Sequence, residues 1–415
     1  MSKVFTKYFA RHKVQVEQVG ESDLKVVVPV YLEEDTLPIM LNSLMEAKRC
    51  CKRSVEVILV FNYPEGAADL IVKRQHDLLE FIQNQYAESN KTGFLLTVLT
   101  DFDVPKKHAG VGHARKTGMD YAAYAFYRQN KPDGVIISLD ADTTVENNYF
   151  EAIYKAYLTN KYNGCTIHFE HPLHGDLDEA VYSAIAEYEL HLRYYIQALR
   201  YAGFPHAYHT VGSCFSCTAE AYVKAGGMPG KQAGEDFYFL QKVIPQGMFG
   251  EVNNTCVYPS ARPSERVPFG TGPTINKLLE SGDEYRTYNL QAFIDLKEFL
   301  DVKDQLFETK DDDFEDFAHQ LSGRFRSYLM NLDFIKALKP VKDNCGSLNI
   351  FQKRFYEVFN AFRVVKYLNY THAHFLEKTP VFDAALSLYE KMKHNEPDVF
   401  ESSELLGYYR QLEKE

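Results

Sequence analysis

No apolar run in this 415-residue chain approaches the roughly 20 residues a bilayer crossing needs, and Met1 to Arg11 lacks the apolar core of an export signal. The expectation is a soluble, cytoplasmic protein, with peripheral contact at a membrane surface left open. Positive charge is in deficit: 46 Lys and Arg against 57 Asp and Glu give a formal net charge of -11. That balance argues against a nucleic-acid partner, although a local basic patch can still hold phosphate. Cysteine is sparse, with seven scattered residues. Cys50-Cys51 cannot form a routine bridge, and Cys214 and Cys217 have no second pair at comparable spacing. A disulfide framework and a zinc module of paired cysteines are both disfavoured, which fits reduced thiols. No His-x-x-x-His pattern occurs either. Tryptophan is missing altogether, against 29 Tyr and 29 Phe. Such an aromatic balance suits packing or a sugar-facing surface, with packing the default.

What is present describes a globular chain. Hydrophobic residues make up 45%, and the length allows two domains or one domain with an added lobe. Short apolar runs alternate with helix-period segments through the first half, the pattern of a largely parallel sheet covered by helices. Strands are expected at Leu24 to Val30, Val55 to Phe61, Phe94 to Leu99, Val135 to Leu139, Gly164 to Phe169 and His209 to Cys217. Helices are expected over Glu34 to Cys51, Leu70 to Tyr86, Gly112 to Tyr127, Ala152 to Leu158, Leu177 to about Arg200, and Gly234 to Val243. On the long helix, Glu179, Glu187, Glu189 and Arg193 fall off the apolar stripe. From Asn276 onward the pattern is helical without convincing strands. The expected division is therefore 1–270, α/β, and 271–415, all helical.

The chemistry-bearing residues cluster where predicted strands end. Asp140-Ala141-Asp142 halts the apolar run Val135 to Leu139. Two carboxylates at i and i+2 past a buried strand reach toward one face and suit a hard cation at the carboxyl edge of a sheet. Gly110-Val111-Gly112 precedes Arg115 at a helix start, where backbone amides and a guanidinium favour an anion. The Gly-x-Gly-x-x-Gly dinucleotide fingerprint is absent after the first strand, where Tyr31 and Glu33 stand instead. Glu235-Asp236 opens a helix after Gly234; it reads either as an acidic first turn or as a general base facing a cleft. Arg262 and Arg266, four apart in a Pro-bounded segment, either grip phosphate or are ordinary surface arginines. His168 and Glu170 share a strand face under period two, with His171 opposite, and His206 and His209 precede the next strand.

Taken in order, Val28-Pro29-Val30-Tyr31-x-Glu33, Gly112-x-x-Arg115-x-x-Gly118, Leu139-Asp140-Ala141-Asp142, Gly226-Gly227-Met228 and Gly234-Glu235-Asp236 resemble the family 2 glycosyltransferases of the GT-A fold. The resemblance covers roughly residues 24 to 270. It implies a GT-A-type, Rossmann-like, mostly parallel sheet flanked by helices. It further implies transfer of a sugar from a nucleotide-diphospho-sugar, of UDP or GDP type, to an acceptor hydroxyl. By resemblance Pro29, Tyr31 and Glu33 contact the donor nucleobase and ribose. Asp140 approaches ribose or metal-bound water, Asp142 ligates Mn²⁺ or Mg²⁺, Asp236 is the base, and Glu235 orients acceptor or loop. The second-strand loop offers Asn62 and Glu65 where relatives carry an aspartate, and Asp103 or a neighbour in the third loop is the candidate substitute. Arg262 and Arg266 lie where many relatives carry a Gln/Arg-x-x-Arg-Trp motif. Missing tryptophan and missing spans speak against a processive synthase. Inversion is the leading expectation. The alternative is a retaining GT-A transferase acting on glycerate or phosphoglycerate. Residues 271–415 have three roles open: shaping the acceptor cleft, forming a homodimer, or resting on a membrane.

Overall fold

The computed structural model describes residues 3–14, 16, 19–86, 88–231, 234–264, 270–393 and 397–415. The chain divides into two compact units, one of residues 1–178, 209–276 and 414, the other of 179–208, 277–413 and 415. The expected cut near 270 therefore misses one segment: residues 179–208 belong with the C-terminal helices. Sequence order hides this, because helical periodicity gives the length of Glu179–Tyr201 but not its packing partners.

The first unit is built on an eight-stranded sheet. Its strands are β1 (Leu24–Val30), β2 (Val55–Pro64), β3 (Leu95–Val104), β4 (Val135–Ser138), β5 (Thr144–Val145), β6 (Gly164–Phe169), β7 (Phe215–Thr218) and β8 (Phe249–Tyr258), in the order β3-β2-β1-β4-β7-β6-β8-β5. Pairings β1/β2, β2/β3, β1/β4 and β6/β8 are parallel, while β7 and β5 run against their neighbours. Six strands thus end along one edge. The mostly parallel α/β expectation is met, and apolar β1 and β2 are buried almost throughout, as strands covered on both faces should be. Lys25 and Glu56 are the exception inside them, both fully buried and ion-paired at the opposite edge from the strand ends. Glu56 also accepts from Thr97 Oγ1 at 2.6 Å and Tyr121 Oη at 2.9 Å, which offsets the desolvation of its charge.

Three differences from the sequence reading have local causes. The strand expected over His209 to Cys217 is only Phe215–Thr218, since Val211 to Cys214 forms a turn closed by Cys214 N donating to Val211 O. Strands β5 and β8 were not anticipated: β5 has two residues, and β8 carries Gly250, Glu251, Asn253 and Asn254, which mask its apolar alternation. Thr218 ends β7 and caps the helix Ala219–Lys224, its hydroxyl accepting from Ala221 N at 3.1 Å. Thr218→Ala is expected to cost about 1 kcal/mol, read as a lower midpoint in chemical denaturation.

The second unit is helical, as expected, and among its described residues it also holds a two-residue antiparallel ladder, Arg286–Thr287 with Thr379–Pro380. Its core is aromatic, with Phe299 and Phe325 stacked at 4.6 Å between ring centroids. Glu189 and Arg193, expected off the apolar stripe, are fully buried and paired with each other. Arg410 donates two hydrogen bonds to Glu189, at 2.8 and 2.9 Å, and Arg193 pairs with Glu413. The last helix thus supplies the countercharges that let these groups be buried.

Candidate active site

Helix Val111–Arg128 starts beside the strand ends and directs Arg115 inward, where the side chain is 2% exposed. Its guanidinium is fully engaged. Nε donates to Glu235 Oε1 at 3.0 Å, Nη2 to Asp140 Oδ1 at 2.9 Å, and Nη1 to Ser138 Oγ at 2.5 Å and Gly212 O at 3.0 Å. Burial works against its charge, but Asp140, Glu235 and Asp236 outweigh that and keep it protonated. Residues from β4, the Gly212 turn and helix Glu235–Val243 are therefore tied at one cation. A Cβ on Gly212 would lie 2.9 Å from Arg115 Nη2 and 3.3 Å from Asp236 Oδ2, which puts Asp236 against the same guanidinium.

Glu235 is buried, so the turn it opens is not merely a solvated acidic cap. Asp236 accepts from Phe237 N at 2.7 Å. Desolvation pushes its carboxyl up to about 7, with the Glu235 charge adding and Arg115 opposing. Close approach of helix Val111–Arg128 to this turn requires Gly112: a Cβ there would meet Lys231 O at 2.1 Å and Glu235 Cβ at 3.1 Å. Gly112→Ala is expected to cost about 1–3 kcal/mol through overpacking, measurable as a drop in thermal midpoint.

A second cluster lies on the same loop. Arg262 Nη2 donates to Asp142 Oδ2 at 3.1 Å and pairs with Glu33, whose Oε2 also accepts from Thr36 Oγ1 at 2.6 Å. Arg262 Nε is buried and has no hydrogen-bond partner among the described residues. Asp142 keeps 24% of its side chain exposed and Asp140 36%. Carboxylate oxygens only, partly open to solvent, fit a hard divalent cation that completes its shell with phosphate oxygens and water. Such a cation, held by Asp142 and Asp140, would supply part of the countercharge that Arg262 gives Asp142.

The remaining expected residues are less concentrated. Asn62 is buried at the end of β2, its Nδ2 donating to Gly110 O at 3.4 Å, which links the second loop to the glycine loop. Pro29 lies within β1 opposite Val60, and Tyr31 follows the strand end. Asp103 sits on edge strand β3 with φ of 57° and joins neither cluster among the described contacts. Its neighbour Asp101 faces the helix instead, accepting from Thr117 Oγ1 at 3.1 Å and bonded to His113 Nε2 at 2.7 Å. Arg266 and Glu265 lie outside the described residues. Ser138 and Gly212 were missed by sequence reasoning. A lone hydroxyl in the buried run Val135 to Leu139 was the available signal for Ser138, which donates to Gly212 O at 2.7 Å. Gly212 carried none.

No family model matches the chain, and no curated protein matches it in sequence. Among solved structures, it is similar to the 1–349 fragment of S. aureus TarS at 12% identity and a TM-score of 0.38, over 82% of this chain and 91% of that one. The TarS fragment in complex with UDP-GlcNAc gives 13% identity and a TM-score of 0.39 over the same shares. Glucosyl-3-phosphoglycerate synthase from Mycobacterium tuberculosis, in complex with Mn²⁺, UDP and glucosyl-3-phosphoglycerate, gives 14% identity and a TM-score of 0.32 over 60% of this chain and 72% of that one. These likenesses are loose and assign no activity to the chain.

Proposed function

We propose that the chain is a GT-A-type glycosyltransferase that moves a sugar from a nucleotide-diphospho-sugar to an acceptor hydroxyl, with inversion. The observation that carries this is the convergence of Asp140, Glu235 and Asp236 on Arg115, with Glu33, Asp142 and Arg262 joined through the same Asp-x-Asp loop. All lie in the unit whose strands end along one edge, where open α/β sheets take ligands.

The two halves have different work. On the donor side, Asp142 and Asp140 would hold Mn²⁺ or Mg²⁺, which when bound supplies charge neutralisation for the diphosphate. Arg262 adds a fixed positive group there, and Glu33 holds its guanidinium in place. Glu33 and Tyr31, at the exit of β1, and Asn62, at the end of β2, would contact the nucleoside. On the acceptor side, Asp236 accepts the proton of the attacking hydroxyl. The oxygen forms its bond to the anomeric carbon from the face opposite the diphosphate, and the pair of the breaking bond leaves with the diphosphate. Arg115 is a positioning residue, since its donors are committed to Glu235, Asp140, Ser138 and Gly212.

The test is the anomeric configuration of the product, read by NMR with nucleoside diphosphate release as the parallel signal. Inversion with release supports the scheme. Retention removes the base role of Asp236 and turns the reading to a retaining transferase with a phosphate- or carboxylate-bearing acceptor.

A further inference from the structure

A second group of metal-ligating side chains lies away from the Asp-x-Asp loop, at the ends of β6 and β8. These strands are parallel, with Phe169 opposite Val257 after a register shift beyond Ile167. The residues alternating with that pair, His168, Glu170 and Cys256, therefore project from one face. One donor atom from each lies within 4.8 Å of the other two. His168 and Cys256 are buried and Glu170 keeps 20% of its side chain exposed, so the cluster reaches solvent only through its carboxylate. His168 Nε2 is hydrogen-bonded to Glu170 Oε1 at 2.9 Å, and Lys414 Nζ donates to the same oxygen at 2.6 Å.

We propose that His168, Glu170 and Cys256 form a zinc site that ties β6 to β8, with the fourth position left to water. The donor set is one imidazole nitrogen, one carboxylate oxygen and one thiolate, which suits a borderline cation such as Zn²⁺ and not the hard ions suited to Asp142. A tetrahedral site sets donor atoms roughly 3.3–3.6 Å apart, as follows from Zn–N, Zn–O and Zn–S lengths. Shifts of about 1 Å bring these three into that range. Charge balances on both sides of the exchange. Without metal, Lys414 neutralises Glu170 and the thiol is protonated. With Zn²⁺, Cys256 releases its proton to solvent, Lys414 swings out to solvent, and two anionic ligands match the ion. Cys256 lies 86 residues from Glu170, so neither paired-cysteine nor His-x-x-x-His spacing could signal the site.

The test uses the full chain, stripped with chelator, and titrated with Zn²⁺ or Co²⁺ alone. One equivalent of Co²⁺ should give a thiolate-to-cobalt charge-transfer band that Zn²⁺ bleaches. Cys256→Ser should abolish the band, and His168→Ala should weaken Zn²⁺ binding by more than about 100-fold, since outer partners alone are worth 10–100-fold. Lys414→Met removes the competing cation and should tighten Zn²⁺ binding, a gain that misfolding cannot imitate. Asp142→Asn should leave the band intact, which separates this site from the donor site. Absence of the band in the parent chain, or a band of equal strength in Cys256→Ser, overturns the proposal.

Discussion

Asp236→Asn is expected to lower kcat by about 10²–10⁴-fold, the usual worth of a positioned general base. The amide keeps the size of the side chain and can still accept from Phe237 N through its oxygen, so the loss reports on proton transfer rather than on the helix start. Nucleotide-sugar affinity should change little, because in the proposed scheme other residues would hold the donor. The pH dependence gives an independent reading. A carboxyl pushed up to about 7 by desolvation and by the Glu235 charge is protonated and idle below that value. Activity should therefore rise with pH through about 7 and level off above it, and the variant should lose this inflection. Stability moves the other way. The raised value means the folded state binds this proton more tightly than the unfolded chain does. That contribution is complete below the ordinary carboxylate range and is lost as pH rises through about 7. At pH 8 the Asp236→Asn protein should accordingly be more stable than the parent in urea denaturation, as expected of a residue kept for chemistry at a cost in stability.

Arg115→Met should destabilise the first unit by about 3–5 kcal/mol, the range for removing one partner from a buried ion pair. The expected size follows from what is left behind: Glu235 loses a cation at 3.0 Å, Asp140 loses the same one at 2.9 Å, and Asp236 keeps its like-charged neighbour. Ser138 Oγ and Gly212 O each lose a donor as well. Arg115→Lys should recover part of the stability but little activity, because one ammonium cannot reproduce a planar fork aimed at four acceptors. Acid should rescue the Met variant relative to the parent, since protonating the stranded carboxylates removes their repulsion. Equal destabilisation across pH 5 to 8 would contradict that reading, and so would a loss below about 1 kcal/mol.

The parts of the fold carried by local pattern were legible in the sequence. Leu24–Val30 and Gly164–Phe169 are apolar runs bounded by polar residues, and both have the expected limits. The order of sheet strands was not legible, because β4/β7 and β6/β7 pairing depends on contacts far apart in the chain. Buried charge was the larger blind spot. Lys25, Glu56, Glu189 and Arg193 look like solvent-facing residues until their distant partners are known: Lys25 and Glu56 are 31 positions apart, and the Glu189-Arg193 pair is completed by Arg410 and Glu413, 220 or more positions on. The site behaved similarly. Asp140, Asp142, Arg115 and the Glu235-Asp236 turn could be named from strand ends and helix starts. That Arg115 joins three of the carboxylates, and that Arg262 pairs with both Glu33 and Asp142, could not be read from spacing.

The central claim is that the Asp-x-Asp loop holds a nucleotide-diphospho-sugar through a divalent cation. Isothermal titration of UDP- and GDP-sugars into the full chain, with and without Mn²⁺, tests it most directly. The expected result is binding by one of them that strengthens at least about tenfold with Mn²⁺, a gain of about 1.4 kcal/mol, and that loses this gain in Asp142→Asn. Absence of binding by every nucleotide-sugar, or affinity indifferent to both Mn²⁺ and Asp142→Asn, would contradict it.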